Sequence, residues 1–88
     1  MGELYKTLTD NIFSKLTKKV YGKVTVYVDD YNTLVIRVLN GSYEFEKRIN
    51  NIYDLLHKND LSSDMIVDGF LNEFKLKLIK DTMRTYFR

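Results

Sequence analysis

The sequence predicts a single α+β domain in which helices cover one face of a three-stranded antiparallel sheet. Apolar residues repeat with helical spacing over residues 3–20, alternate with period two from about residue 23 to 49, and return to helical spacing from about residue 52. A chain of 88 residues has room for one hydrophobic core. We therefore assign residues 1–88 to a single domain.

The first helix is predicted from an apolar stripe that repeats at four-residue steps. Its members are Leu4, Leu8, Ile12, Leu16 and Val20. Lysines in the last turn suit the negative end of the helix dipole, and glycine often follows the last residue of a helix. We therefore expect the helix to run to about Val20 and to end before Gly22.

The alternating segment predicts a first hairpin. Apolar residues at every second position mark its inward face: Val24, Val26, Val28, Leu34, Ile36 and Val38. Residues 30–32 form the predicted three-residue loop, with Asn32 in the left-handed conformation that such a loop requires. This loop pairs Val26 with Ile36.

A second hairpin is predicted from the Asn-Gly dipeptide at positions 40–41, which favours a two-residue turn. With these two residues at its centre, the turn pairs Ile36 with Phe45 and Arg37 with Glu44. Apolar pairs then share one face of the sheet, and the opposite charges meet on the other.

The outer face of the predicted sheet is not purely polar. Tyr27 lies beside Val35 in the expected register, and Leu39 shares their face. We expect these three residues to form a modest apolar patch among charged neighbours, and we retain the patch as a second candidate binding surface.

Two helices complete the predicted fold. Asn51 resembles an N-cap with Asp54 in the first turn of a short helix, and Ser62 or Ser63 caps a long helix that ends near Tyr86. The apolar stripe of the long helix consists of Ile66, Val67, Phe70, Leu71, Phe74, Leu78 and Ile79. At 1.5 Å per residue this helix is about 35 Å long, so we expect its last turns to project beyond the sheet.

Few residues offer catalytic or metal-binding chemistry. His57 is the only histidine, and there is no cysteine for a thiolate site. Asp60, Asp64 and Asp68 follow four-residue spacing, which we interpret as a solvated acidic edge in preference to a site for a hard cation. The sequence therefore predicts a protein that is not an enzyme and has no metal or cofactor.

The end of the long helix is the main candidate for partner binding, because it mixes cations with apolar and aromatic residues. These residues are Lys80, Met83, Arg84, Tyr86, Phe87 and Arg88. Such a surface suits a protein partner or a second copy of the chain, and stacking with charge neutralisation suits a nucleic acid. The remaining alternative is that Met83 and Phe87 pack back onto the first helix.

Charge and hydropathy limit the possible locations. The net charge of +2 is too small to indicate a nucleic-acid partner by itself. No apolar run approaches the roughly 20 residues that span a bilayer, and the first residues lack the apolar stretch of a secretory signal. We therefore expect a cytoplasmic protein with no membrane partner.

The helix, three-strand, two-helix order, the segment 34–40 (LVIRVLN) and the absence of alanine and proline together resemble small accessory proteins of phages and prophages of Gram-positive bacteria. Among these, the chain looks most like inhibitors of type II CRISPR effectors. Many such inhibitors are acidic mimics of DNA, whereas this chain is net basic, and the resemblance assigns no functional residue.

The element order is also similar to a double-stranded-RNA-binding domain. That family has a lysine-rich start to the helix after the third strand, whereas residues 50–54 here are NNIYD. The sequence thus favours a non-enzymatic binding protein of a phage or mobile element, with a host protein or complex as partner, such as a CRISPR effector that it inhibits. A small nucleic-acid-binding protein is the alternative.

Overall fold

A computed structural model describes residues 2–41, 43–58 and 62–86. The elements are α1 (Gly2–Thr17), β1 (Lys23–Val28), β2 (Leu34–Asn40), β3 (Tyr43–Ile49), α2 (Ile52–Lys58) and α3 (Ser63–Tyr86). The strands form one antiparallel sheet in the order β1-β2-β3. This confirms the α+β fold, the meander and the order of the helices.

α1 ends at Thr17, earlier than the predicted end at Val20. The N–H of Val20 donates to the carbonyl of Leu16 at 3.0 Å, and this hydrogen bond holds a turn immediately after the helix. Gly22 has φ 121°, and a Cβ there would lie 2.5 Å from the carbonyl oxygen of Leu39. Gly22 is therefore required because the chain passes close to Leu39 as it enters β1. It does not end α1, which stops at Thr17.

The core lies between the inner face of the sheet and the helices. Its buried residues are Leu8, Ile12, Leu16, Val24, Leu34, Ile36, Val38, Ile52, Ile66, Val67, Phe70, Leu71 and Phe74. Aromatic rings join β3 to α3: the Phe45 ring centroid is 5.2 Å from that of Phe70 and 5.7 Å from that of Phe74. Burial of these large side chains is the main force that holds α3 on the sheet.

The first hairpin has the predicted register, with Val26 opposite Ile36. The N–H of Asp29 donates to the carbonyl of Thr33 at 3.0 Å, which closes the three-residue loop. Asn32 has φ 61°, the expected left-handed conformation. The Asp29 carboxylate accepts the N–H of Thr33 at 3.0 Å, as aspartate commonly does in turns.

The second hairpin differs from the predicted register by two residues. Val38 lies opposite Phe45, and Arg37 lies opposite Glu46. β2 extends through Asn40, so the turn begins one residue later than predicted, with Gly41 at φ 61°. A shift of two residues keeps every side chain on its predicted face, since successive side chains alternate.

Arg37 is on the outer face of the sheet and binds two acids of β3. Its Nε and Nη2 atoms donate to Oε1 of Glu46 at 3.1 and 2.6 Å, and its Nε is 3.4 Å from Oε1 of Glu44. The prediction that Arg37 pairs with Glu44 was therefore wrong about the main partner.

The burial of Val35 differs from the apolar patch that was predicted on the outer face of the sheet. Its side chain is fully buried although it is on the outer face of the sheet. It lies in the central strand between Tyr27 on β1 and Arg48 on β3, and long neighbouring side chains on a sheet cover a small one between them. Val35 therefore offers no surface to a partner, and the predicted patch is reduced to Tyr27 and Leu39, which are both exposed.

Asn32 joins the first hairpin to two helices. Its Oδ1 accepts hydrogen bonds from the hydroxyl of Tyr5 at 2.8 Å and from the N–H of Tyr53 at 3.2 Å. Its carbonyl accepts the N–H of Ile52 at 3.0 Å. The free N–H groups at the start of α2 are thus capped by Asn32, while the predicted cap Asn51 has φ 57° and donates its side-chain amide to Asp54.

Candidate partner-binding site

α3 extends well beyond the core that it helps to form. Ser62 caps it, since its Oγ accepts the N–H of Met65 at 3.2 Å. The last buried residue of α3, among the side chains that the structure describes, is Phe74. Later side chains that the structure describes are exposed, except that of Asp81, which is half-buried. We refer to residues 75–86 as the overhang. It contributes to the elongated shape of the molecule, 47 × 22 × 22 Å.

Leu78 and Ile79 were predicted to continue the buried stripe of α3, and both are exposed. The sheet does not reach this part of the helix, because β3 begins at Tyr43, beside Phe74. The expectation of a projecting helix is therefore confirmed, and the projection begins earlier than the sequence pattern indicated.

A groove of about 430 Å³ lies at the base of the overhang. It is bounded by the segment between α1 and β1, by the end of the β2–β3 hairpin and by α3. The lining residues are Lys19, Val20, Tyr21, Asn40, Tyr43, Leu71, Phe74, Lys75 and Leu78. Most of these side chains present apolar atoms, so the groove is an apolar concavity with cations at its rim.

Tyr43 provides a polar atom in the wall of this groove. Its hydroxyl is buried and has no hydrogen-bond partner among the described residues. Burial raises the pKa of the Tyr43 phenol, and the nearby Asp81 carboxylate raises it further. The hydroxyl therefore stays protonated and can donate or accept one hydrogen bond.

Lysine side chains lie at the groove and close to the aromatic rings of Tyr43 and Phe45 beside it. Lys19 and Lys75 line the groove itself. The Nζ of Lys77 lies 5.8 Å from the ring centroid of Tyr43 and 5.6 Å from that of Phe45, within the range of a cation–π interaction. The positive charge of these side chains favours a partner with carboxylates around its apolar anchor.

The structure describes only some of the predicted C-terminal site. Lys80 and Met83 are exposed on the overhang, so Met83 does not pack back onto α1. Arg84 and Tyr86 belong to α3, but their side chains are not among those that the structure describes, and Phe87 and Arg88 lie outside the described residues.

The remaining polar candidates that the structure describes are not grouped into a site. The His57 ring packs on that of Tyr53, with centroids 4.2 Å apart. Asp64 forms a salt bridge with Lys15, which lowers the pKa of the Asp64 carboxyl, while Asp60 lies outside the described residues. Within the described ranges no three histidine or acidic side chains are grouped to hold a metal ion, and no helix has the length and apolarity to cross a bilayer.

The groove was not predicted from the sequence. Val20 was assigned to the helical stripe, whereas the early end of α1 places it with Tyr21 in the connection to β1. Two features of the sequence are consistent with an apolar groove at this place. An aromatic residue directly precedes Gly22, and the last helix has more apolar residues than a short sheet can cover. Neither identifies the groove without the tertiary structure.

No protein family, no curated protein and no solved structure matches this chain significantly. Its function is therefore inferred from its own residues and their arrangement.

Proposed function

We propose that this chain is a non-enzymatic binding protein whose partner is another protein that inserts an apolar side chain into the groove. The groove is the observation that supports this proposal, because Val20, Tyr21 and Leu78 present apolar surface beside the hydrophobic core. Hot spots of protein interfaces are apolar anchors seated in such concave sites and surrounded by polar contacts.

The rim of the groove defines the partner further. Lys19 and Lys75 favour a partner that presents acidic side chains around its anchor. The expected partner segment is therefore apolar at its centre and acidic at its edge.

The resemblance to small phage proteins suggests which partner to test first. The element order and the segment 34–40 resemble inhibitors of type II CRISPR effectors. We therefore propose that the chain is encoded by a phage or another mobile element and inhibits a defence complex of this kind in the host cytoplasm. A nucleic acid is the alternative partner, bound through the same lysines.

Site-specific photo-crosslinking tests this proposal. A photoreactive amino acid replaces Leu78 in the groove in one variant and Leu39 on the outer sheet face in the control, both of which are exposed apolar positions. Each variant is incubated with a purified type II CRISPR effector complex and illuminated. We expect a protein crosslink from position 78 only, which excess unlabelled wild-type chain suppresses and excess Leu78→Glu chain does not.

Three results would contradict the proposal. A crosslink from position 39 alone would move the interface to the outer sheet face. The absence of a crosslink, together with undiminished DNA cleavage by the effector, would exclude this class of partner. A crosslink from position 78 to nucleic acid, lost steeply as the salt concentration rises, would establish the alternative function.

A further inference from the structure

The outward side of α3 carries a row of positions that is separate from the groove. Leu76, Ile79 and Met83 are 59%, 55% and 52% exposed. They are separated by alternating steps of three and four residues, which is the spacing of a coiled-coil seam, and the same spacing extends back through Asn72 to Gly69. We refer to these five residues as the seam.

The seam lies on the side of α3 that faces away from the core. Successive residues of a helix are 100° apart, so Leu76 and Ile79 are on the opposite side of α3 from the buried residues Val67 and Phe70. A Cβ added at Gly69 would meet no other atom within 4 Å. The seam is therefore open where its side chains are described.

We propose that a second copy of this chain covers the seam, with the two α3 helices packed antiparallel. A seam with this spacing is complementary to a helix that carries the same spacing, and α3 of a second copy is such a helix. When the two-fold axis passes between Leu76 and Ile79, Leu76 of each chain packs against Ile79 of the other chain. Position 86 of each chain is then opposite Gly69, which has no side chain.

Charges beside the seam select the antiparallel orientation. Asp68 and Lys75 flank one side of the seam, and Glu73 and Lys80 flank the other. In a parallel pair, Asp68 would meet Glu73 and Lys75 would meet Lys80, which are like charges in both cases. In the antiparallel pair, Glu73 meets Lys80 of the second copy, and the two-fold axis repeats this attractive contact.

The length of the overlap predicts the strength of the dimer. From Gly69 to Tyr86 the helices would be in contact over about 27 Å, at 1.5 Å per residue. One pair of helices over this length forms an interface below the standard size of about 1,600 Å², so we expect weak, concentration-dependent association.

Sedimentation velocity over a concentration series tests the dimer. We expect the wild-type chain to change from monomer to dimer as its concentration rises into the millimolar range. Leu76→Glu combined with Ile79→Glu should raise the dissociation constant at least about tenfold. Leu39→Glu, a matched change at an exposed site on the sheet, should leave it unchanged. A wild-type chain that remains monomeric at millimolar concentration would overturn the proposal.

Charge reversal tests the orientation. Glu73→Lys and Lys80→Glu should each weaken the dimer, and the double variant should restore the wild-type dissociation constant. Lys47→Ala removes the intrachain salt-bridge partner of Glu73 without changing the seam, and it should not affect association. If the double variant is as weak as the singles, the antiparallel pairing is wrong.

The dimer does not depend on the function proposed for the groove, because the groove and the seam are on different sides of α3. Leu78→Glu should therefore leave the dissociation constant of the dimer unchanged, although an excess of this variant does not suppress the crosslink from position 78 to the partner. A seam variant that loses the dimer but keeps the crosslink at position 78 separates the two surfaces in the other direction.

Discussion

Asn32 shows how much a single residue can contribute beyond its own turn. Its left-handed backbone was predictable, because a three-residue hairpin loop imposes it locally. Its bonds to Tyr5 and Tyr53 were not, because they depend on where α1 and α2 lie relative to the loop. The same limitation explains why Asn51 was given the capping role: sequence spacing identifies a cap that is near along the chain, but not one supplied from a distant loop.

Tyr43→Phe should stabilise the isolated protein by about 1 kcal/mol. The change removes a buried hydroxyl without a partner among the described residues, and leaving such a group unsatisfied costs about 1–3 kcal/mol. The ring contact with Phe74 is retained. Chemical denaturation measures the change, and a destabilised variant would show that the hydroxyl is already satisfied.

At the level of the secondary-structure elements, the β2–β3 hairpin separates what a sequence pattern specifies from what it does not. The alternation of apolar residues assigned the correct face to every residue of β3, since a shift by one residue would have exposed Phe45. A shift by two preserves the pattern, so the pattern could not distinguish the predicted partner of Arg37 from the observed one. The turn decides the register. It begins after Asn40, which is one residue later than predicted from the preference for Asn-Gly at the centre of a two-residue turn.

The observed pairing makes the hairpin sensitive to acid. Hydrogen bonds from Arg37 and then Arg48 lower the pKa of Glu46 below its ordinary value of 4.5. A lowered folded-state pKa means that the ionised Glu46 stabilises the fold above pH 4.5, and that this contribution is lost as the pH falls through the folded-state value. We expect Glu46→Gln to reduce the loss of stability over that range.

Urea denaturation at a series of pH values below 5 measures this effect, with Glu44→Gln as the matched control at a neighbouring acid whose contact with Arg37 is longer. An equal effect of the two substitutions would show that Glu46 is not the main partner of Arg37.

For the whole molecule, the sequence predicted the element order and the projecting end of α3, since both depend on the length and period of apolar segments. It did not predict where the core ends. Leu78 has the spacing of a core residue, but a three-stranded sheet is too short to cover it. The groove arises from that mismatch, together with the early end of α1 at Thr17.

A chain that ends at Asp81 should fold as stably as the full chain. Among the side chains that the structure describes, Phe74 is the last buried residue of α3, and changes at exposed positions away from the core alter the free energy of unfolding by less than about 0.5 kcal/mol. Thermal and urea denaturation of the shortened chain at low concentration, where the dimer is dissociated, measure the difference. A loss of about 2 kcal/mol would show that the removed residues pack on the core.

The strand order β1-β2-β3 has a further consequence for colloidal behaviour. It leaves β1 and β3 as the outer strands of the sheet. β3 carries four charged side chains, at Glu44, Glu46, Lys47 and Arg48, which discourage another strand from adding to it. After Lys23, β1 reads VTVYV without a charge, a composition with high β-propensity. If heating detaches α1 from β1, this strand is the expected starting point for amyloid-like aggregation.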